Sequence, residues 1–235
     1  MSNAVLLNNV DHKDLKVITR RAATYGDDVK SALTFPAEFR NVQACYPIVF
    51  QKTADGKFQT ITLFSFQDKE NLFLGPDGWD APYVPLTVER QPFLIGFRDR
   101  EPMVHIDLAS PRVSRTEGEA LFREYGGSTE FLERMSSVLL TIHQGLEAMP
   151  AFIDALLQHD LLESFVLDVE LNDRSQHRLT GFYTINEERL GALAAGALER
   201  LHKAGHLQAL YMALASLSHF RDLIERRNRL NAAHR

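Results

Sequence analysis

The first half of the chain alternates apolar and polar positions at the two-residue period of a β-strand. Over residues 58–66, FQTITLFSF, successive side chains point to opposite faces of an extended segment. A strand is also predicted at Tyr46–Phe50, and Asp55-Gly56 between the two segments is a hairpin turn signal. ENLFLG predicts a short third strand, so the three together predict an antiparallel meander.

Two further strands are predicted after a proline-rich loop. The segments PFLIGF and PMVHIDL have strand character and are joined by a charged turn at Arg98–Glu101. Residues 1–35 mix polar and apolar side chains without a strong period. The sequence therefore predicts a β-rich segment over residues 36–110.

The period changes to that of a helix over residues 116–160. Apolar residues recur there at intervals of three and four, and Pro150 is expected to begin a new helix or to kink this one. Alternation returns in SFVLDVELND and RLTGFYTI, which predict a β-hairpin over residues 164–185. A helical segment is predicted over residues 187–228.

Capping signals bound the helices of that last segment. Asn186 is a predicted N-cap, because its side chain can accept a hydrogen bond from the first turn. Glu187 and Glu188 then lie where the helix dipole favours negative charge. Gly205 is the predicted stop between two helices.

The order of these segments predicts the fold class. Strands do not alternate singly with helices, which argues against a doubly wound parallel sheet. An α+β fold is predicted, with a mainly antiparallel sheet, a helical middle segment and C-terminal helices. Because no linker or low-complexity stretch interrupts the chain, residues 1–235 are predicted to form a single domain. The pattern leaves open whether the two β segments share one sheet.

Composition restricts the class of partner and the compartment. The 235 residues are 45% hydrophobic and carry a net charge of −5, which does not suggest nucleic-acid binding. Cys45 is the single cysteine, so no internal disulfide forms, and its apolar surroundings predict a buried, inert thiol. The N-terminus lacks the pattern of a secretory signal, and no apolar run reaches the length of a membrane span. We therefore expect a cytoplasmic protein without a membrane span.

The stretch GWDAPYVPL, residues 78–86, is the main candidate binding element. It contains the only tryptophan and two prolines, which restrict the backbone and suit a surface that is rigid before a ligand arrives. The alternative is a well-packed corner that covers a sheet edge. The candidate ligand- or partner-binding residues are Trp79, Asp80, Tyr83, Arg90 and Tyr46. Asp80 is expected to cap a neighbouring backbone group or to pair with Arg90.

The tripeptide His105-Ile-Asp107 has the His-x-Asp spacing of the iron oxygenase facial triad. On a strand, both side chains point to the same face, as such a site requires. The competing interpretation is that Asp107 braces the turn that follows it. No nucleophile elbow, phosphate-binding loop or dinucleotide fingerprint is present in the sequence. The main prediction is therefore no metal and no cofactor, with His105 and Asp107 as the alternative metal ligands.

The last 17 residues, 219–235, contain five arginines against Asp222 and Glu225. Basic charge at the end of a helix complements the helix dipole, which is the simpler explanation of this bias. The alternative is that the segment docks an acidic partner.

Several phrases in one order resemble the SapC family of bacterial proteins. They are EFRNVQACYPIVF, NLFLGPDGWDAPYVPL, QPFLIGF, IDLASPRVS with GEALF, and LTGFYTINEERLGAL. The resemblance covers the chain from about Thr34 to Arg227, and GWDAPYVP and GFYTINEERL are its most specific parts. It implies a link to bacterial surface-layer proteins and an accessory role beside outer-membrane receptors and flavin-dependent halogenases. It carries over no catalytic residues.

Together these observations predict a SapC-like accessory protein, a non-catalytic peptide- or protein-binding module that uses the rigid Trp/Tyr/Pro loop. One alternative is an Fe(II)-dependent oxygenase with the His-x-Asp site, so the sequence does not decide whether the protein is an enzyme. Another is a surface-layer-associated assembly component. Homo-oligomerisation stays open.

Overall fold

The computed structural model describes residues 3–99 and 101–233. Its strands, β1 to β13 in chain order, are Ala4–Leu6, Lys16–Val17, Ser31–Leu33, Ile48–Lys52, Phe58–Leu63, Leu74–Gly75, Gly78–Trp79, Phe93–Arg98, Glu101–Asp107, Val113–Ser114, Glu119–Ala120, Leu162–Glu170 and Gln176–Ile185. Its α-helices, α1 to α7, are Phe39–Val42, Leu86–Glu89, Glu130–Gln158, Glu187–Gly191, Ala195–Lys203, His206–Ser216 and Phe220–Ala233. Short 3-10 helices occupy Ala23–Tyr25 and Leu217–His219. The named strands pair antiparallel, so the predicted α+β class is confirmed.

The contacts within the chain divide it into two compact units. Unit 1 consists of Met1–Asp27, Leu74–Trp79 and Leu86–Gln144. Unit 2 consists of Asp28–Phe73, Asp80–Pro85 and Gly145–Arg235. The single domain over residues 1–235 stays a prediction.

Unit 1 contains two three-stranded sheets and a two-stranded ribbon. The predicted hairpin of β8 and β9 is confirmed, and β1 pairs with the outer side of β9. Arg100, in the predicted turn, lies outside the described residues. Strand β2 pairs with both β10 and β11, and β6 pairs with β7. Strands β1 and β2 lie in the segment that shows no periodicity, since strands of three and two residues are too short to establish one.

A buried ion pair lies in the interior of unit 1. The Arg112 side chain is almost fully buried and its Nη2 donates to Oδ2 of Asp27 at 2.5 Å. Its Nη1 donates to the carbonyl oxygens of Ile18 and Arg20, at 2.9 and 3.1 Å. Arg21 lies 3.2 Å from the other carboxylate oxygen of Asp27. These bonds connect the segment around residue 20 to the loop that carries Arg112. Loss of either charged partner would destabilise the fold, because the other charge would stay buried without compensation.

Unit 2 contains a five-stranded sheet in the order β12-β13-β4-β5-β3. The two predicted hairpins, β4–β5 and β12–β13, are confirmed, and Gly56 has the positive φ that the first turn needs. Strand β13 pairs with β4, so the hairpin at 162–185 joins a sheet with strands of the first β segment. This answers the question that the sequence pattern left open.

The predicted third strand of the meander is wrong. The second neighbour of β5 is β3, which precedes both meander strands in the chain. The segment ENLFLG supplies only β6, two residues long, because Pro76-Asp77-Gly78 turns the chain back at once into β7. Gly78 has a φ of +109°, which few other residues adopt.

The helix predicted from residue 116 begins only at Glu130. The residues before it form β10, β11 and two turns, one at Gly118 between these strands and one at Gly126 and Gly127 after them. All three glycines have positive φ, which is incompatible with a helix. Pro150 lies inside α3 and does not begin a second helix. The apolar stripe of α3 continues past Pro150. Burial of these side chains compensates for the one backbone hydrogen bond that proline removes.

The predicted N-cap at Asn186 and the predicted stop at Gly205 are confirmed, whereas the last helix continues past residue 228 to Ala233. The Asn186 side chain accepts a hydrogen bond from the backbone N–H of Arg189 at 2.8 Å and caps α4. Gly205 has a φ of +74° and separates α5 from α6.

We expect Gly145→Ala to destabilise the protein by roughly 1–3 kcal/mol, although alanine is the better helix former. Gly145 is buried within α3, and a Cβ there would collide with the ring of Phe35, which is fully buried. Chemical denaturation of the two proteins measures the difference.

Gly196→Ala is the matched control, because a Cβ there meets only Arg200 Nη1 at 3.7 Å, an ordinary contact. That variant should keep or gain stability, by up to about 1 kcal/mol. Equal behaviour of the two variants would show that Phe35 yields to the added methyl group.

Candidate functional site

The candidate binding loop is divided between the two units. Trp79 ends β7 of unit 1 and is half-buried. Asp80–Pro85 belong to unit 2, and the backbone N–H of Asp80 donates to the carbonyl of Phe73 at 2.7 Å. Side chains of unit 2 fix this part of the loop at Asp80 and at Tyr83.

Asp80 is bound by an arginine from the last helix. Arg226 Nη1 donates to Asp80 Oδ2 at 2.6 Å, and Arg226 Nη2 donates to the Asp80 carbonyl at 3.0 Å. The same guanidinium lies over the ring of Phe73, 4.2 Å from its centroid. The sequence suggested a backbone cap or Arg90 as the partner of Asp80, and Arg226 takes that place. Because Asp80 is largely exposed, the main effect of the pair is to hold the loop against α7.

Tyr83 is held by a buried carboxylate. Its hydroxyl donates to Glu38 Oε1 at 2.9 Å, and the Thr34 hydroxyl donates to Glu38 Oε2 at 2.8 Å. The Tyr46 hydroxyl donates to the Tyr83 carbonyl. Both the backbone and the side chain of Tyr83 are therefore fixed by residues of the core.

Tyr46, one of the candidate binding residues, is fully buried. Its ring packs edge-on against Phe64 and Phe73, with centroids 5.2 and 4.7 Å away. In this position Tyr46 packs under the loop. Its hydroxyl makes the hydrogen bond to the Tyr83 carbonyl, as a buried tyrosine hydroxyl usually requires.

Arg90, another candidate, lies in unit 1 just after α2. Its Nη1 donates to the carbonyl of Phe93 at 2.6 Å. Burial lowers the pKa of the Arg90 guanidinium, because a charged group loses solvation inside the protein.

A pocket of about 340 Å³ adjoins the loop, and we call it the loop pocket. Asp80 and Pro82 line it from the loop, and Glu225, Arg226 and Arg229 line it from α7. The pocket therefore presents both signs of charge at short range. Such a surface suits a polar partner that carries complementary charges.

His219 lies at the edge of the loop pocket and links it to two elements. Its Nδ1 is 2.6 Å from Asp222 Oδ2, and its Nε2 is 2.9 Å from the carbonyl oxygen of Gln43. The ring thereby ties the start of α7 to the segment after α1.

Cys45 lines the loop pocket and is buried, as the sequence predicts. Burial raises the pKa of its thiol, while a backbone hydrogen bond at Tyr83 and the charge of Arg226 act in the opposite direction. The raised pKa keeps the thiol protonated and slow to react.

His105 and Asp107 of β9 do not gather further ligands around them. Asp107 Oδ1 accepts from the backbone N–H groups of Asn3 and Ala109, at 2.7 and 3.0 Å, which is the bracing role that competed with metal binding. His105 covers Gly96, whose missing side chain leaves room for the ring. Across residues 3–99 and 101–233, no group of three His, Cys, Asp or Glu side chains is arranged to hold a metal ion. The oxygenase alternative therefore gains no support from the described residues.

The sequence pointed to Asp80 and Tyr83 but missed Arg226 and Glu38. Arg226 is 146 residues away from Asp80 in the sequence. Only the excess of arginine in residues 219–235 indicated that basic side chains on α7 could form an ion pair. Residues 234 and 235 of that segment lie outside the described residues. Glu38 carries no sequence signal, since a lone glutamate is usually exposed.

We expect Asp80→Ala to speed the reaction of Cys45 with a disulfide reagent by roughly fivefold, because about 1 kcal/mol of loop anchoring is lost. The rate is measured on native protein at fixed pH and compared with that of unfolded protein. Asp68→Ala is the control: Asp68 is also an exposed carboxylate of unit 2 with a cationic partner, Lys30, but it does not line the loop pocket. Equal rates in the two variants would contradict an anchoring role for Asp80.

Comparison with known proteins gives one result. A family model, SapC, matches residues 7–223. No curated protein and no solved structure gives a match. Among the helices of the described residues, none has the length and apolar character needed to cross a membrane. The match spans nearly the whole chain and both halves of the loop, and it confirms the resemblance found in the sequence: the chain belongs to the SapC family.

Proposed function

We propose that this SapC-family chain is a non-catalytic accessory protein that binds a peptide or a segment of a partner protein. The contact surface is the loop Asp80–Pro85 together with the loop pocket. The observation that carries the proposal is the fixation of this loop by the protein's own residues, by Arg226 at Asp80 and by Glu38 and Tyr46 at Tyr83. A fixed surface loses little conformational entropy on binding.

The charges of the loop pocket support a polar peptide as the partner. Asp222 and Glu225 are exposed at its rim with Arg229, while the charge of Arg226 is directed to Asp80. A peptide that presents a basic group beside a carboxylate would find a complementary group for each. Nucleic acid, with one sign of charge, would meet repulsion from the carboxylates.

Trp79 and Arg90 remain candidate contact residues in this proposal, and Trp79→Ala tests the first of them. A cytoplasmic location is part of the proposal as well. A surface-layer assembly role predicts ordered oligomers that grow with concentration, which sedimentation of the purified protein distinguishes from a species of fixed size.

The test is selection of binders from a random peptide display library on the purified protein. We expect the selected peptides to lose roughly tenfold in affinity for Arg229→Glu, because the substitution reverses a charge in the pocket. Arg221→Glu is the matched control, since Arg221 is exposed on the same helix and does not line the pocket. Circular dichroism and thermal melting establish that both variants are folded.

Two results would contradict the proposal. One is a set of peptides that bind the wild type and both arginine variants equally well. The other is a library from which no peptide is enriched. Loss of affinity in Trp79→Ala, with the fold retained, would support Trp79 as a contact residue.

A further inference from the structure

A second concave surface of unit 2, independent of the loop pocket, has a different chemical character. It lies between the second half of α3 and the strands β5 and β3, and its volume is about 700 Å³. We call it the helix–sheet groove. Its apolar lining includes Leu33, Phe58, Leu146, Met149, Ile153 and Leu157, and none of its lining residues belongs to the loop pocket.

The helix side of the groove is one continuous apolar face. Leu146, Met149, Pro150, Ile153 and Leu157 follow one another at intervals of one, three or four residues, so all five side chains lie on the same side of α3. Leu146 and Leu157 are 38% and 47% exposed. Part of this apolar face is therefore left exposed by the core of unit 2.

The sheet side adds further exposed apolar surface opposite that face. Leu33 of β3 is 37% exposed, and Phe58 of β5 is half-buried. Large apolar side chains that converge on one concave surface mark a binding site more often than an accident of packing. The volume lies within the range of pockets that hold small molecules.

Two lysines lie at the hairpin end of the groove. Lys52 Nζ is 5.1 and 5.4 Å from the ring centroids of Phe58 and Tyr183, and Lys57 Nζ is 3.2 Å from Asp55 Oδ2. Asp154 is the acidic residue of the lining, and Asp55 pairs with Lys57, so the main positive charge at this end is that of Lys52, which lies over two aromatic rings. The positive charge lies at one end of an apolar trough.

We propose that the helix–sheet groove binds an anionic amphiphile: an alkyl chain with a carboxylate head, in the manner of a medium-chain fatty acid. The chain lies along the apolar face of α3, and the head lies at Lys52 and Lys57. A second copy of the protein is a poorer occupant, because a stable dimer needs about 800 Å² of each partner, and this surface is a trough of limited volume.

The first experiment is titration calorimetry of the full chain with dodecanoate, below its micelle concentration. Dodecyltrimethylammonium provides the same chain with the opposite charge, and butyrate provides the same head with a short chain. We expect saturable binding of dodecanoate near one molecule per chain. Both comparison molecules should bind at least tenfold more weakly, since one lacks charge complementarity and the other lacks apolar area.

Variants then locate the site. Leu157→Glu should weaken dodecanoate binding at least tenfold, because it removes apolar surface and adds a like charge. Leu140→Glu is the matched control on the same helix: Leu140 is 42% exposed and does not line the groove. Lys57→Glu, at a largely exposed position, should weaken dodecanoate binding roughly fivefold and should not weaken binding of the cationic probe.

Three outcomes would overturn this proposal. Equal affinity for dodecanoate and the cationic probe would mean that the lysines select nothing. An equal loss of dodecanoate affinity in Leu157→Glu and Leu140→Glu would mean that the amphiphile adsorbs to apolar surface in general. A dimer that dissociates in Leu157→Glu, without dodecanoate binding to the wild type, would identify the groove as an interface between two copies of the chain. None of these outcomes bears on peptide binding at the loop pocket, which is tested by separate variants.

Discussion

The pairing of β13 with β4 is the constraint on which unit 2 depends. Only two residue pairs form it, Phe182 with Gln51 and Tyr183 with Phe50. It nevertheless joins two hairpins, of which the first ends at Leu63 and the second begins at Leu162. Such a pairing costs loop-closure entropy, so it forms only when side-chain packing compensates. Phe50 supplies part of that packing, because it is fully buried and stacks on Phe152 of α3 at 6.3 Å.

The same pairing positions the walls of the helix–sheet groove. Tyr183 of β13 packs edge-on against Phe58 of β5 at 4.9 Å, and Lys52 lies near both rings. The contact of Phe50 with Phe152 holds the second half of α3, which belongs to unit 2, against the sheet. Both sides of the groove are thus set by aromatic contacts around one short stretch of strand pairing.

The sequence predicted those parts of the fold whose determinants are local. The turn at Asp55-Gly56, the cap at Asn186 and the stop at Gly205 each need only a few adjacent residues, and each is found where predicted. Strands of two or three residues could not be predicted, because they have no period. The start of α3 was misplaced because apolar spacing alone does not reveal a turn built on glycines with positive φ.

In the candidate site, too, the sequence revealed the residues with local signals and missed those that only the tertiary fold brings close. Asp80 and Tyr83 are conspicuous in sequence because prolines and aromatic residues surround them. Their partners Arg226 and Glu38 are brought to them by the tertiary fold, at sequence separations of 146 and 45 residues. Periodicity also revealed the apolar stripe along α3, but it cannot distinguish the part that another element covers from the part that stays open. The helix–sheet groove is that open part.

The contact between Gly145 and Phe35 also limits how the sequence can change over generations. A side chain at position 145 is tolerated only after the residue at position 35 has become smaller, whereas position 35 can shrink first and leave a cavity. The two replacements are thus accessible in one order and blocked in the other. We therefore expect related chains that keep phenylalanine at position 35 to keep glycine at position 145.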